Sequence, residues 1–559
     1  MPTPLTEIEA SVSYLRKTFD SNKTKSIEWR RDQLTRLFRF VTDKQDLILE
    51  AVAKDNQKSY GEIGSEMAVV NNEIAMALHN LDKWTQPKKC KPSLATIADR
   101  VEVRHEPLGV VLIIGAWNFN VQLVLAPLAA ALAAGNCAII KPSEVAPHTE
   151  AFLANWLPKI LDNSAIRVVT GGVPETTRLL ELKFDLIFYT GGGSIGKIIM
   201  SAAAKQLTPV ILELGGKSPV YVHSDADIEV AAQRIIWAKT VNCGQICLAP
   251  DYVMANKSVI SKLIPAMKKA IVQMCSENPQ SASYYARIIN SNHTQRLKSV
   301  LDRQLLLSHS KLEAGGTVDV QNRFIAPTLV SGVKTVDPLM EDEIFGPLLG
   351  LVEVADVDEA ISIIKSKERP LSLYIFAKSQ KIIDKITDNT LSGSVIVNDL
   401  LMNMIIEDMP FGGVGSSGMG AYHGHSGFLA FSHQRGYLHR GTDFVSEKIH
   451  SLLYAPVSST PRMLAIMQSA VLKKPPTALG RVLKKAWPVF WRFAAYALVF
   501  EGGRRVGGIV DWQAAALNFK EVQKKLVKCH NDRYSGPLSR ILLRHKFAVF
   551  NESTDTTLH

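Results

Sequence analysis

Cysteine is scarce and scattered in this chain of 559 residues. Its six cysteines (Cys90, Cys137, Cys243, Cys247, Cys275 and Cys529) show no disulfide framework and no paired CxxC metal site. A reducing compartment therefore fits, and no metal ligand set is expected. The N-terminus, MPTPLTEIEASVSYLRKTF, has no apolar core of signal-peptide length, so no secretory signal is read there. The apolar run at 486–500 contains Arg492 and falls short of the roughly 20 residues that a membrane-spanning helix needs. Net charge is also missing from most of the chain. Of the formal +11, residues 441–559 carry +10, with 18 Lys and Arg against 8 Asp and Glu. A neutral body with a basic tail argues against a nucleic-acid-binding enzyme and for a surface-binding tail.

The composition is otherwise that of a globular protein, 46% hydrophobic and 21% charged. The length exceeds what one core supports, so two or three domains are expected. Residues 1–85 read as helices, because Ile8, Val12, Leu15 and Phe19 recur at helical spacing, as do Leu34, Leu37, Phe38 and Val41. PLGVVLIIGA at 107–116 reads as a strand buried on both faces, the kind a parallel sheet uses. A helix at 123–136, a strand and turn at 137–144, a helix at 150–162 and a strand near 167–172 follow. DLIFYTGGGSIGKIIMSAAA at 185–204 reads as strand, glycine loop and helix. This alternation predicts an α/β fold with a Rossmann-like sheet.

Four places carry chemistry. Cys247 stands among small and polar residues in NCGQICLAP, and Glu213 precedes two glycines in LELGGKSP. A thiolate nucleophile and a carboxylate that activates water are the chemistry this pair offers. A buried structural cysteine is the ordinary alternative. Asn118 follows the strand at 107–116, at the carboxyl edge where open α/β sheets bind ligands. It offers an amide donor, or serves as a turn residue. Lys141 and Glu144 leave the next strand, suited to a ribose or to an exposed ion pair. Gly191, Gly192, Gly193 and Gly196 let backbone approach a pyrophosphate at a helix N-terminus, although they do not fit GxGxxG and are also compatible with a structural turn. Cys243 reads as a second small residue lining the pocket. His423 and His425 lack acidic or cysteine partners at ligand spacing and read as loop or surface histidines.

GQICLAP and LELGGKSP resemble the cysteine and glutamate motifs of the aldehyde dehydrogenase superfamily. TGGGSIG is similar to its TGSxxxG loop, with Gly192 in place of the usual Ser, and MEDEIFGP is similar to its nicotinamide-side motif. PFGGVGSSGMG followed by AYHGHSGF resembles the class 3, or fatty aldehyde dehydrogenase, branch. The resemblance spans about residues 10–440. It implies Cys247 as nucleophile, Glu213 as the base for hydrolysis and Asn118 as an oxyanion donor. It implies that Trp117, Lys141, Glu144, the loop Gly191–Gly196 (Ser194 and Ile195 included), Glu343 and Phe345 bind the cofactor. Cys243, Asn398 and Phe411 are expected at the substrate pocket. NAD is the expected cofactor, with NADP possible in principle, since Glu144 near a ribose 2′-OH disfavours a 2′-phosphate. A homodimer is implied as well.

The expected organisation is an aldehyde dehydrogenase fold. N-terminal helices and an NAD-binding domain cover 1–212, with bridging strands near 86–106. A catalytic domain covers 213–395, a bridging, oligomerisation and substrate-pocket segment 396–440, and a basic extension 441–559. In that extension Trp487, Phe490, Trp491, Ala494, Ala495 and Leu498 fall on one helical stripe, and Lys484, Lys485, Arg504 and Arg505 flank it. That pattern suits an anionic membrane surface, or packing on the body or a partner. The expectation is an enzyme at the cytosolic face of an intracellular membrane (endoplasmic reticulum, lipid droplet or mitochondrial outer membrane). Its expected substrate is a long-chain or other apolar aldehyde, with a terpenoid or apocarotenoid aldehyde, or an inactive structural member of the fold, as alternatives.

Overall fold

A computed structural model describes residues 1–92 and 96–451, with a few isolated positions up to 465. The expected membrane stripe at 486–505 lies outside the described residues. Two units divide the chain, Met1–Leu452 and Leu453–His559.

The first unit begins with four helices, Leu5–Asp20, Ile27–Asp43, Gln45–Asn56 and Tyr60–Thr85. Their starts are chemically marked. Ser26 accepts a hydrogen bond from the Trp29 N–H, and Ser59 forms a capping box with Glu62. The apolar stripes of Ile27–Asp43 and Tyr60–Thr85 pack on the helix Gln122–Ala134, which is buried almost all round.

That helix belongs to a six-stranded sheet. Its order is Gly418–Met419, Val210–Glu213, Leu186–Thr190, Val110–Ile114, Cys137–Lys141, Ile166–Val168, all parallel except the first. Val110–Ile114 is central, and every one of its residues is buried. The chain steps outward from it in one direction as far as Ile166–Val168, then returns on its other side as Leu186–Thr190. This reversal creates a switch point at the carboxyl ends of Val110–Ile114 and Leu186–Thr190, where open α/β sheets bind ligands. Residues 115–118 and 190–193 emerge there.

A second sheet has seven strands in the order Lys311–Ala314, Thr328–Ser331, Leu348–Glu353, Pro250–Ala255, Ser218–Val222, Ser372–Phe376, Ser394–Val397. Only the first pair is antiparallel. Arg100–Pro107, Ser432–His439 and Lys88–Lys89 form a third, small antiparallel sheet. The stretch 396–440, expected as one segment, is shared among these three sheets. Residues 396–397 finish the seven-stranded sheet, Gly418–Met419 pairs with Val210–Glu213, and Ser432–His439 pairs with Arg100–Pro107. Gly418 is required at that crossing. Its φ is +141°, and a Cβ there would lie 2.1 Å from the carbonyl oxygen of Leu212. Among the described residues, no helix is long and apolar enough to cross a membrane.

Candidate active site

Glu213 is the last residue of its strand, and its side chain is buried with neither carboxylate oxygen hydrogen-bonded. Burial alone raises its pKa well above the usual carboxylate range. Cys247 lies on the loop between the helix Ile228–Thr240 and the strand Pro250–Ala255. That loop is tightly turned, with Asn242, Cys243 and Gly244 all at positive φ. Gln245 anchors it. Its side-chain amide donates to the carbonyls of Asn242 and Arg287 and accepts the Ile289 N–H. Tyr374 adds a bond from its hydroxyl to the Leu248 carbonyl at 2.7 Å.

Asn118 joins the two loops. Its Nδ2 donates to the carbonyl of Gln245 at 3.1 Å. Its own carbonyl accepts from Asn242 Nδ2 at 2.9 Å and from the buried ammonium of Lys58. Lys58 also pairs with Glu66 at 3.4 Å, and Glu66 accepts the N–H groups of Val121 and Gln122. The capping-box residue Glu62 accepts the Asn242 N–H at 2.8 Å. The helix Tyr60–Thr85 and the linker residue Lys58 just before it thus clamp both the Asn118 and Cys247 loops. Lys58, Glu62 and Glu66 were not singled out from the sequence, because nothing local to a helix shows that its far neighbour is a catalytic loop.

Cys247, Glu213, Asn118 and Thr190 line two adjoining cavities. One, of about 220 Å³, runs towards Gly191, Gly192, Trp117, Glu343 and Phe345. The other is lined by Phe119, Leu123, Ile246, Met404, Phe411 and Tyr422, with His423 among them. The Cys247 thiol is raised by burial and further by the carboxylates of Glu343 and Glu213. It is therefore a thiol awaiting a proton acceptor, not a standing thiolate.

The first cavity adjoins a groove of about 1040 Å³ along Gly193, Ser194 and Gly196, and the two together fit a dinucleotide. Gly192 and Gly193 open the helix Gly193–Ala204, and a Cβ at either would meet nothing within 4 Å. The helix N-terminus therefore presents free backbone N–H groups at the switch point. Ser194 and Gly196 continue along the same groove, while Ile195 is an exposed residue of the first turn. Glu343 lies against the glycine pair that follows Glu213: a Cβ on Gly215 would stand 2.0 Å from its Oε2. Its other oxygen is unpartnered, and burial followed by the charge of Asp251 pushes its pKa up to about 8. Phe345 meets Trp117 edge-on at 5.3 Å. His293, against Trp117 at 5.2 Å, and Arg296 complete this wall, and neither was anticipated. Lys141 is buried and donates to Glu144 at 2.9 Å and to the Pro142 carbonyl.

Three sequence expectations need correction. Cys243 does not line the pocket. It is fully buried in the second core with Sγ 3.4 Å from the Tyr285 hydroxyl, and burial pushes its thiol to about 12. Asn398 lines neither of the two cavities and is an exposed residue at φ +59°, its amide spent on both backbone groups of Ala377. His423 is no surface histidine but 2% exposed and stacked on Phe411 at 5.0 Å, while His425 stacks on Phe428. Local sequence could not separate these cases, because each depends on packing from distant elements.

The family model for the aldehyde dehydrogenase family matches residues 5–436. The chain belongs to that family. It is similar to aldehyde dehydrogenase family 3 member A2 of Mus musculus, 44% identical over 454 residues, 81% of this chain and 92% of that protein. It is also similar to family 3 member B1 of Homo sapiens, 43% identical over 458 residues, 82% of this chain and 96% of that protein. The substrate-bound state of AldH from Staphylococcus aureus superposes with a TM-score of 0.76 at 37% identity, covering 78% of this chain and 95% of that one. The protein is accordingly an NAD(P)-dependent aldehyde dehydrogenase of the class 3 type that oxidises aldehydes.

Proposed function

We propose that this enzyme oxidises long-chain or other apolar aldehydes to carboxylic acids through covalent attachment to Cys247. One observation carries this reading: Cys247 and Glu213 stand where a glycine-edged cavity meets one lined mostly by apolar and aromatic side chains. The aldehyde lies along Phe119, Leu123, Met404 and Phe411, with its carbonyl at Cys247. Glu213, its pKa raised by burial, takes the thiol proton as Sγ bonds the carbonyl carbon. The second Nδ2–H of Asn118 and the Cys247 N–H stabilise the oxyanion, each preorganised donor contributing roughly 3–4 kcal/mol. NAD, bound by the glycine loop, Trp117, Glu343 and Phe345, supplies the hydride acceptor. Loss of hydride from the adduct carbon leaves a thioester on Cys247; Glu213, having passed its proton to solvent, then takes a proton from the attacking water, and cleavage returns the Cys247 thiol and the acid. Lys141 and Glu144 hold the adenosine ribose, and the carboxylate of Glu144 favours NAD over NADP.

The exposed strand Ser394–Val397, at the edge of its sheet with Val395 and Val397 exposed, supports a homodimer. The basic tail supports an anionic, cytosolic-facing membrane surface. NADH production by the full chain over aldehydes from short to long, with NADP in parallel, tests the substrate and cofactor. Efficiency rising with chain length is expected, and Cys247→Ala abolishes turnover. A flat profile overturns the long-chain assignment, and unchanged turnover by Cys247→Ala overturns the covalent mechanism.

A further inference from the structure

The apolar cavity is not wholly apolar. His423 lies between Phe411, stacked on it at 5.0 Å, and Tyr422, edge-on at 4.5 Å. It lines the cavity that Cys247 opens into, is 2% exposed, and neither ring nitrogen has a hydrogen-bond partner. Its Nδ1 is 3.7 Å from Oε1 of Glu73, which is also unpartnered, while a Glu73 oxygen accepts the Gly424 N–H at 2.9 Å. Glu73 comes from the long helix Tyr60–Thr85, Glu407 stands near it, and Glu213 and Cys247 act on Tyr422 from the cavity side. Burial holds His423 down to about 4, so the ring is neutral, with one N–H and one lone pair.

Buried polar groups without partners are uncommon, and those in a ligand cavity mark what a ligand brings. The whole cavity that His423 shares with Cys247 and Phe411 holds about 30 Å³ of free space in this conformation, room for one water-sized group against its walls. A hydroxyl both donates and accepts, so it pairs with either tautomer of a neutral imidazole. We propose that His423 is a specificity-determining residue whose Nε2 hydrogen-bonds a hydroxyl carried by the substrate a few bonds from the aldehyde carbon. Glu73 stands at the opposite nitrogen. This inference rests on the aldehyde-oxidation reading and sharpens its substrate class from apolar aldehydes to hydroxylated ones.

The test compares kcat/KM for 3-hydroxyhexanal and hexanal in the full-length wild type, His423→Phe and His423→Gln. His423→Phe keeps a ring against Phe411 and removes both nitrogens; His423→Gln keeps a donor and an acceptor. The wild type is expected to prefer the hydroxyaldehyde by about tenfold or more, because a site built to bond a hydroxyl discriminates against its absence. The preference falls to near unity in His423→Phe and is partly restored in His423→Gln. A wild type that oxidises hexanal with no preference, or a ratio that both variants leave unchanged, overturns the inference and leaves aldehyde oxidation standing. A wild type that oxidises neither aldehyde overturns both.

Discussion

The Asn118 loop and the end of the Glu213 strand face the same cavities, yet their polar groups are treated in opposite ways. At Asn118 the groups that hold the loop are tied: Lys58 and Asn242 hold its carbonyl, its amide reaches Gln245, and Glu66 holds the N–H groups of Val121 and Gln122. At Glu213 both carboxylate oxygens are left bare. The first arrangement is costly to disturb because buried charges depend on their partners. The second is costly to maintain because a buried carboxyl has given up its water. Here the backbone carbonyl that is positioned has its donors, and the carboxylate that reacts has none.

Removing the reactive side of this contrast has the largest expected effect. Glu213→Gln cannot accept a proton, so steady-state turnover falls about 10²–10⁴-fold, the range general base catalysis supplies. Rapid mixing then shows a weakened first turnover and accumulation of acyl-enzyme, and mass spectrometry detects the adduct on Cys247. In the wild type, activity falls with acid through a pKa above the ordinary carboxylate range, because burial raises Glu213; the Gln variant loses that limb. An unaltered pH profile in Glu213→Gln assigns the base elsewhere.

Removing the positioning side comes next. Lys58→Met leaves Glu66 buried without its charge partner and removes one of the two donors to the Asn118 carbonyl. The expected cost is about 3–5 kcal/mol in urea unfolding of the domain. Folded protein at low temperature loses roughly tenfold in kcat/KM, since a misplaced donor weakens oxyanion binding. Full activity in folded Lys58→Met would show that the loop keeps its place without the clamp.

The smallest effect sharpens the contrast from the stability side. Glu213 has a raised pKa in the fold, so the folded state favours its protonated form. Its destabilising contribution is absent below the unfolded carboxylate pKa and grows as pH rises towards the folded one. Glu213→Gln is therefore expected to be more stable than wild type at neutral pH, by about 1–3 kcal/mol, and equal to it in acid. Thermal scans at two pH values measure this, and a less stable variant at neutral pH contradicts it.

The reach of sequence follows the same division. Continuous apolar runs announced the buried parallel strands at 110–114, 137–141 and 186–190, because a strand covered on both faces has no polar side to show. Cys247, Glu213 and Asn118 were legible because reactive groups sit in small-residue contexts at strand ends and loops. Lys58, Glu62 and Glu73 were not, since they lie in or just before an ordinary helical pattern and act on loops tens to hundreds of residues away. Asn398 and Cys243 show the converse: motif position placed them near the substrate, and packing took them away.

By itself, the sequence determined the α/β architecture, the nucleophile and carboxylate motifs, and the separation of a neutral body from a basic tail, because periodicity, glycine placement and charge are local properties. Tertiary structure alone decided which polar groups are paired and which are bare. That depends on the crossing of Tyr60–Thr85 beneath the Cys247 loop and of 411–423 beside it, where burial removes water and leaves each charge to whatever partner the fold provides.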